Sequence, residues 1–235
     1  MLARLREAVR IVIEHHATTS AGAAAINSSI NQAAAALERH LPRVAAAASA
    51  ETRSAALRTL WDDTSALRKA MAARGESDAL PEPPLPSESA RDDRKRASQP
   101  LAAFAGAWRA SAFAALADAA SSGRKPTGVA IFNTATGETA YRIERFAATE
   151  NAHAFNSERI HGVSQHTHVN MRWDATLDER TCDDCADLDG ELAEPGSGWE
   201  SPDGGRIYHP PMHANCRCVA TTVFSREALR ASEAA

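Results

Sequence analysis

Several catalytic signatures are missing from this chain of 235 residues. It has no His-Glu-x-x-His pair of a zinc protease, no phosphate-binding Gly-x-x-x-x-Gly-Lys loop and no Gly-x-Ser-x-Gly elbow. A zinc deaminase needs His-x-Glu followed by Pro-Cys-x-x-Cys. Here Thr181 precedes Cys182, and no His-x-Glu lies upstream. These absences argue against an enzyme and against a small-molecule substrate. No apolar run approaches the ~20 residues that a membrane helix needs, so no membrane partner is expected. An N-terminal apolar run with a cleavage site is also missing. The expected setting is therefore intracellular and reducing, which disfavours disulfides. Aromatic residues make up only 5% of the chain, and alanine supplies much of the 44% that is hydrophobic. Small side chains bury little area each, so the core is thinner than the percentage suggests.

Basic charge is scarce where it would matter for nucleic acid. The net charge of −4 divides into +4 over residues 1–74, −1 over 75–139 and −7 over 140–235. The acidic third holds every cysteine. A zinc module that reads DNA is usually basic, so this balance points to a basic protein surface as partner. Any contact with DNA is expected to be secondary and not sequence-specific.

All four cysteines fall between 182 and 218, as Cys182-Asp183-Asp184-Cys185 and Cys216-Arg217-Cys218. Two thiolates two residues apart can grip one ion from a tight turn, and a second pair can complete a tetrahedron around zinc. Cys182, Cys185, Cys216 and Cys218 would make a closed structural site. On a strand, the two cysteines of Cys-x-Cys point the same way. His213 or His209 could replace one of them. Arg217, between two ligands, would offset thiolate charge. Asp189-Gly190 supplies a turn. Arg145 and Glu150 read as a buried pair or as a hydrogen-bonding brace for the metal loop. A nuclease-like set of His166, His168, Glu150 and Asp174 has no supporting spacing.

In chain order, Leu2, Leu5, Val9 and Val12 start an apolar helical stripe, and Ile26, Ile30, Leu37 and Leu41 continue it. Thr18–Gly22 weakly interrupts it. Pro42 marks a turn or opens the next helix. That helix runs to about Arg74, with Leu57, Leu60, Trp61, Thr64, Leu67 and Met71 on one face. Prolines 81, 83, 84 and 86 and the charged stretch after them make 75–100 a solvated linker. Residues 101–120 return to helix through Leu101, Phe104 and Trp108. Val129–Phe132 and Thr139–Ile143 suggest a β-hairpin around Asn133–Gly137. Residues 142–161 read as helix, Val169–Trp173 as a half-buried strand, and Arg217–Phe224 as a closing strand. The tail from Ser225 is polar and rich in alanine. The expected fold is α+β: an N-terminal helical region (1–74), a linker (75–100) and a small C-terminal domain (101–235). That domain has a short antiparallel sheet and the cysteine loop 182–218.

Arg145, Thr149-Glu150, Asn156, Arg172-Trp173, Cys182, Cys185, Leu188-Asp189-Gly190 and Pro210-Pro211-Met212-His213-Ala214-Asn215-Cys216-Arg217-Cys218 together resemble the phage head morphogenesis family, the Mu F-like minor head proteins. The resemblance covers about residues 142–222. Ala214 departs from it, because the family often has Pro there. The resemblance implies a minor capsid protein of a phage, prophage or gene-transfer particle, associated with the portal protein and the inner capsid or scaffold. It implies a virion-head location, with assembly in the bacterial host cytoplasm. Some relatives occur in toxin-like architectures, so a toxin-type enzyme is one alternative. A zinc-stabilised nucleic-acid-binding module is the other.

Overall fold

The computed structural model describes residues 1–17, 22–63, 90–125, 127–164 and 169–224, without the side chains of Asp63, Ala90, Arg91 and Phe224. The expectations for Thr18–Ala21, for 64–89 and for the tail from Ser225 lie outside the described residues. Among the described residues, four long helices come first: α1 (Leu2–His16), α2 (Ala23–Asp63), α3 (Ala90–Ser121) and α4 (Gly128–Val163). Then come β1 (Val169–Asp174), the one-turn helix α5 (Asp183–Asp187), β2 (Leu192–Ala193), β3 (Trp199–Glu200), β4 (Arg206–Ile207) and β5 (Val219–Phe224). None of the described helices is long and apolar enough to cross a membrane. The expected class, helices followed by a small domain with short antiparallel sheets, is what the chain adopts.

The chain divides into two compact units. The first comprises Met1–Ser49 and Glu88–Ala148, the second Ala50–Ser87 and Thr149–Ala235. Among the described residues, the regular structure of the first unit is helical. Its core takes Leu5 and Val9 from α1, Ile30, Leu37 and Leu41 from α2, Leu101 and Trp108 from α3, and Phe132 and Ile143 from α4. Alanines such as Ala33 and Ala112, both fully buried, let the helix backbones approach. Trp108 stacks edge-on against Phe132 at 5.0 Å. Its Nε1 donates to Thr136 Oγ1 at 3.1 Å, which satisfies the indole polar atom inside the core.

Three expectations fail in this region. The β-hairpin over 129–143 is instead part of α4. Ile131, Phe132, Ala135, Thr139, Ile143 and Ala147 are all buried at helical spacing. The run Val129–Phe132 was too short for its period to separate strand from helix. The threonines fit because Thr136 and Thr139 donate to the carbonyls of Phe132 and Ala135, four residues back. Thr127 caps the start, its Oγ1 accepting the Ala130 N–H. Pro42 neither turns the chain nor opens a helix; it lies inside α2. Interior proline costs roughly 3 kcal/mol, and burial of Leu41 and Ala45 on either side offsets it. The helix expected from 101 starts at Ala90 and contains Pro100. Asp92 and Asp93 occupy its first turn, where the helix dipole favours them. Arg96 pairs with the buried Asp93 at 2.8 Å, and Ala97 is buried.

In the second unit, β1 is the centre of an antiparallel sheet ordered β2-β1-β5. The expected alternation holds: Val169, Met171 and Trp173 face inward and Arg172 outward. Trp173 opposes Ala220 of β5 and stacks edge-on with Trp199 at 5.3 Å. This core includes Leu60, Ile160, Val163, Leu188 and three of the four cysteines. Gly162 of α4 packs closely against Leu57 and Leu60 of α2. A Cβ there would lie 2.7 Å from Leu60 Cδ2 and 3.3 Å from Leu57 Cδ2.

Replacing Gly162 with Leu is therefore expected to overpack this contact and lower stability by about 1–3 kcal/mol. Urea unfolding followed by tryptophan fluorescence measures it.

Candidate metal centre

The candidate site forms where two loops of the second unit meet. The first loop leaves β1 and enters α5, whose N-cap is Cys182; Cys185 follows one turn on and is buried. The second loop runs from β4 to β5. It bends at Asn215, which adopts a left-handed φ of 65°, a conformation that asparagine tolerates better than most residues. Cys216 and Cys218, both buried, follow that bend.

All four cysteines are free thiols. Their donor atoms fall into two close groups, Cys182 with Cys185 and His213, and Cys185 with Cys216 and Cys218. In each group the donor atoms lie within 4.8 Å of one another. His213 Nε2 is 3.0 Å from Cys182 Sγ and 3.3 Å from Cys185 Sγ. Cys185 Sγ and Cys216 Sγ are 3.8 Å apart. Two sulfurs on one tetrahedral ion, each about 2.3 Å from it, would also be separated by about 3.8 Å. Soft donors, burial and spacing thus fit a metal ion. His209 stands in neither group. Its ring packs edge-on against His153 at 4.6 Å. His166 and His168 lie outside the described residues.

The thiols hold their protons unequally. The neighbouring Cys218 thiol draws the Cys216 thiol down to about 5. Cys218 is pushed well up, first by Cys216 and then by burial. Burial raises Cys185 to about 12. Burial also opposes ionisation of Cys182, but the Cys185 N–H, the Cys185 thiol and His213 outweigh it and leave Cys182 below its usual value. His213 is raised, first by its hydrogen bond to Ala214 and then by Cys182. Such a cluster can hold a cation once its protons leave.

Neighbouring side chains hold both loops in place. Asn156 of α4, 1% exposed, donates from Nδ2 to the Cys218 carbonyl at 3.3 Å and accepts the Ala220 N–H at 2.9 Å. Thr149 Oγ1 accepts the Asn215 N–H at 3.3 Å. Asp189 Oδ1 accepts the Ala175 N–H at 2.8 Å. Gly190, at φ 82°, makes the expected turn and donates to the Trp173 carbonyl at 2.8 Å. Arg217 engages both oxygens of Asp178, with Nη2–Oδ1 at 2.5 Å. It therefore ties the two loops together through a carboxylate. Cys218 and Cys216 raise the Arg217 guanidinium more weakly than Asp178 does. Glu150 is buried and Arg145 is exposed. Sequence reasoning gave no role to Asn156, Thr149 or Asp178. Asn156 and Thr149 lie within the motif set, but only the fold shows that they reach backbone atoms beside Cys216 and Cys218.

The family model described as Phage Mu protein F like protein matches residues 114–221. That segment includes all four cysteines, His213, Asn156 and Asp178, and the family is the one that the motif set resembles. The match points to phage head morphogenesis. No curated protein and no solved structure matches the chain.

Two outcomes follow from this geometry. Asn156→Ala removes two buried hydrogen bonds and strands the Ala220 N–H, so it should cost about 2–4 kcal/mol in urea unfolding. Arg217 first, then the Arg180 N–H, hold the Asp178 carboxyl well below the usual carboxylate range. A carboxyl depressed in the folded state stabilises above its unfolded value of about 3.9 and loses that contribution only as pH falls through the folded value. Carbon NMR titration should therefore find Asp178 still ionised at pH 4, and an ordinary midpoint near 3.9 would contradict the clamp.

Proposed function

We propose that this chain is a minor head protein of a phage, prophage or gene-transfer particle, acting in head assembly by docking on the portal and inner capsid. Its C-terminal module is held together by one structural zinc ion. The observation that carries this reading is the pair of close donor groups, Cys182 with Cys185 and His213 and Cys185 with Cys216 and Cys218, that share Cys185 within the segment matched by the family model. Zinc is favoured over harder cations because every donor is sulfur or imidazole. The ion's work is structural. With it bound, two loops of low apolar content become one fixed surface, which the thin core beneath them could not hold alone.

The acidic charge of residues 140–235 suits a basic docking partner. Within the strand and loop region, Asp183, Asp184, Asp187, Glu191 and Glu200 are exposed and available for such contact. The helical first unit offers a second surface. No catalytic step is assigned to the chain.

The test is incorporation into particles. In the producing host, the wild-type chain should co-purify with heads at low copy number and be captured by the purified portal protein. Cys185→Ser should lower its abundance in heads at least tenfold, with fewer filled heads. A wild-type chain absent from purified particles, and not retained by the portal, would overturn the proposal. Quantitative mass spectrometry of gradient-purified particles gives the readout.

A further inference from the structure

Asp187, Glu191 and Glu200 stand around one hollow of the second unit, about 560 Å³ in volume. Its walls are the segment from α5 to β2 and the hairpin of β3 and β4. Leu188 and Trp199, both buried, form its floor, and Leu192, 54% exposed, stands at its rim. We propose that this hollow receives an extended segment of a partner protein that carries basic side chains and an apolar anchor. This rests on the docking reading above and names where, and by what chemistry, the partner is held.

Charge gives the first argument. Asp187, Glu191 and Glu200 are exposed, and none has an ion-pair partner among the described residues. Arg206 is the one cation among the described lining residues, and its Nη1 donates to the Gly198 carbonyl at 3.3 Å. Arg172, opposite Leu192 in the sheet, is held by Asp174 at 2.7 Å. Three carboxylates thus border a concave apolar floor with little positive charge to offset them. A segment that fills the hollow takes water from them, which is favourable only when it brings cations of its own. DNA and acidic segments are excluded on the same ground.

The sheet gives the second argument. β2 is an edge strand. The Trp173 N–H donates to the Glu191 carbonyl at 2.9 Å. Alternation along an antiparallel pair then turns the N–H and carbonyl of Leu192 away from β1. No described residue bonds to them. A free edge of this kind pairs with an extended chain. Successive side chains of such a chain point to opposite sides. Alternation therefore separates basic side chains, for the carboxylates, from apolar ones, for the floor of Leu188 and Trp199.

Fluorescence anisotropy on the full-length chain, purified without chelator, reads this. The probe is a labelled peptide that alternates lysine and leucine, with a glutamate–leucine peptide as control. The basic peptide should bind and the acidic one should not. Glu191→Gln with Glu200→Gln should weaken binding at least about tenfold. Leu192→Ser, which changes no charge, should weaken it at least about threefold. Asp62→Asn with Glu179→Gln removes two charges from exposed positions outside the hollow and should change binding less than about twofold. A urea midpoint checks that each variant keeps its fold. Equal losses in the two double variants, or no binding of the basic peptide by the wild type, would overturn the inference.

Capture by purified portal protein separates this from the docking reading. Capture lost in Glu191→Gln with Glu200→Gln supports both. Capture undiminished in that variant would overturn the inference and leave the docking reading standing. A wild-type chain that the portal does not retain would overturn the docking reading, while the peptide result still decides the hollow.

Discussion

The second unit depends on the meeting of two loops at Cys185. Cys185 is the one donor common to both close groups, and it is buried against Trp173, Leu188 and Trp199 in the same core. Everything nearby serves to bring 182–185 and 213–218 to that point. β1 and β5 pair over six residues and set where each loop starts or ends. Asn156 reaches from α4 to hold the backbone on both sides of Val219. Arg217 and Asp178 tie the loops on their exposed side. Apart from the cysteines, the polar loop that carries the second pair has few apolar side chains to bury, so backbone hydrogen bonds and soft donors supply much of its cohesion.

Much of this unit was legible in the sequence, because its signals are local and sharp. Alternation from Val169 to Trp173 could only be a half-buried strand. Four cysteines confined to 37 residues could hardly be unrelated. The helices of the first unit were harder to read. A run such as Val129–Phe132 suits either regular structure, and the threonines and glycine after it look like a turn until their hydroxyls are seen bonding within α4. Pro42 and Pro100 are strong local breakers, yet tertiary burial on either side keeps α2 and α3 intact. The charged stretch before Pro100 read as solvated linker because its favourable terms, a helix dipole and one buried ion pair, are invisible without the fold. The roles of Asn156, Thr149 and Asp178 were hidden for a related reason. Each bonds across dozens of residues to backbone or to a charge that only the fold brings near.

The two units suggest a division of labour. The first is alanine-rich and helical, with close backbones and a thin but continuous apolar core. The second combines a small sheet with a soft-donor cluster and an acidic surface. On the proposed reading, the second unit must keep its shape while it is held against larger partners. A metal ion would supply that at small chain length, because its binding free energy is also folding free energy.

The measurement closest to this account is metal content and chelator response on protein purified without chelator. The account predicts one zinc per chain and loss of second-unit structure on adding EDTA. It also predicts recovery when zinc is restored, with a stability gain of about 2.7 kcal/mol at free zinc a hundredfold above Kd. A chain that carries no metal, keeps four titratable thiols and unfolds identically with and without EDTA would contradict it.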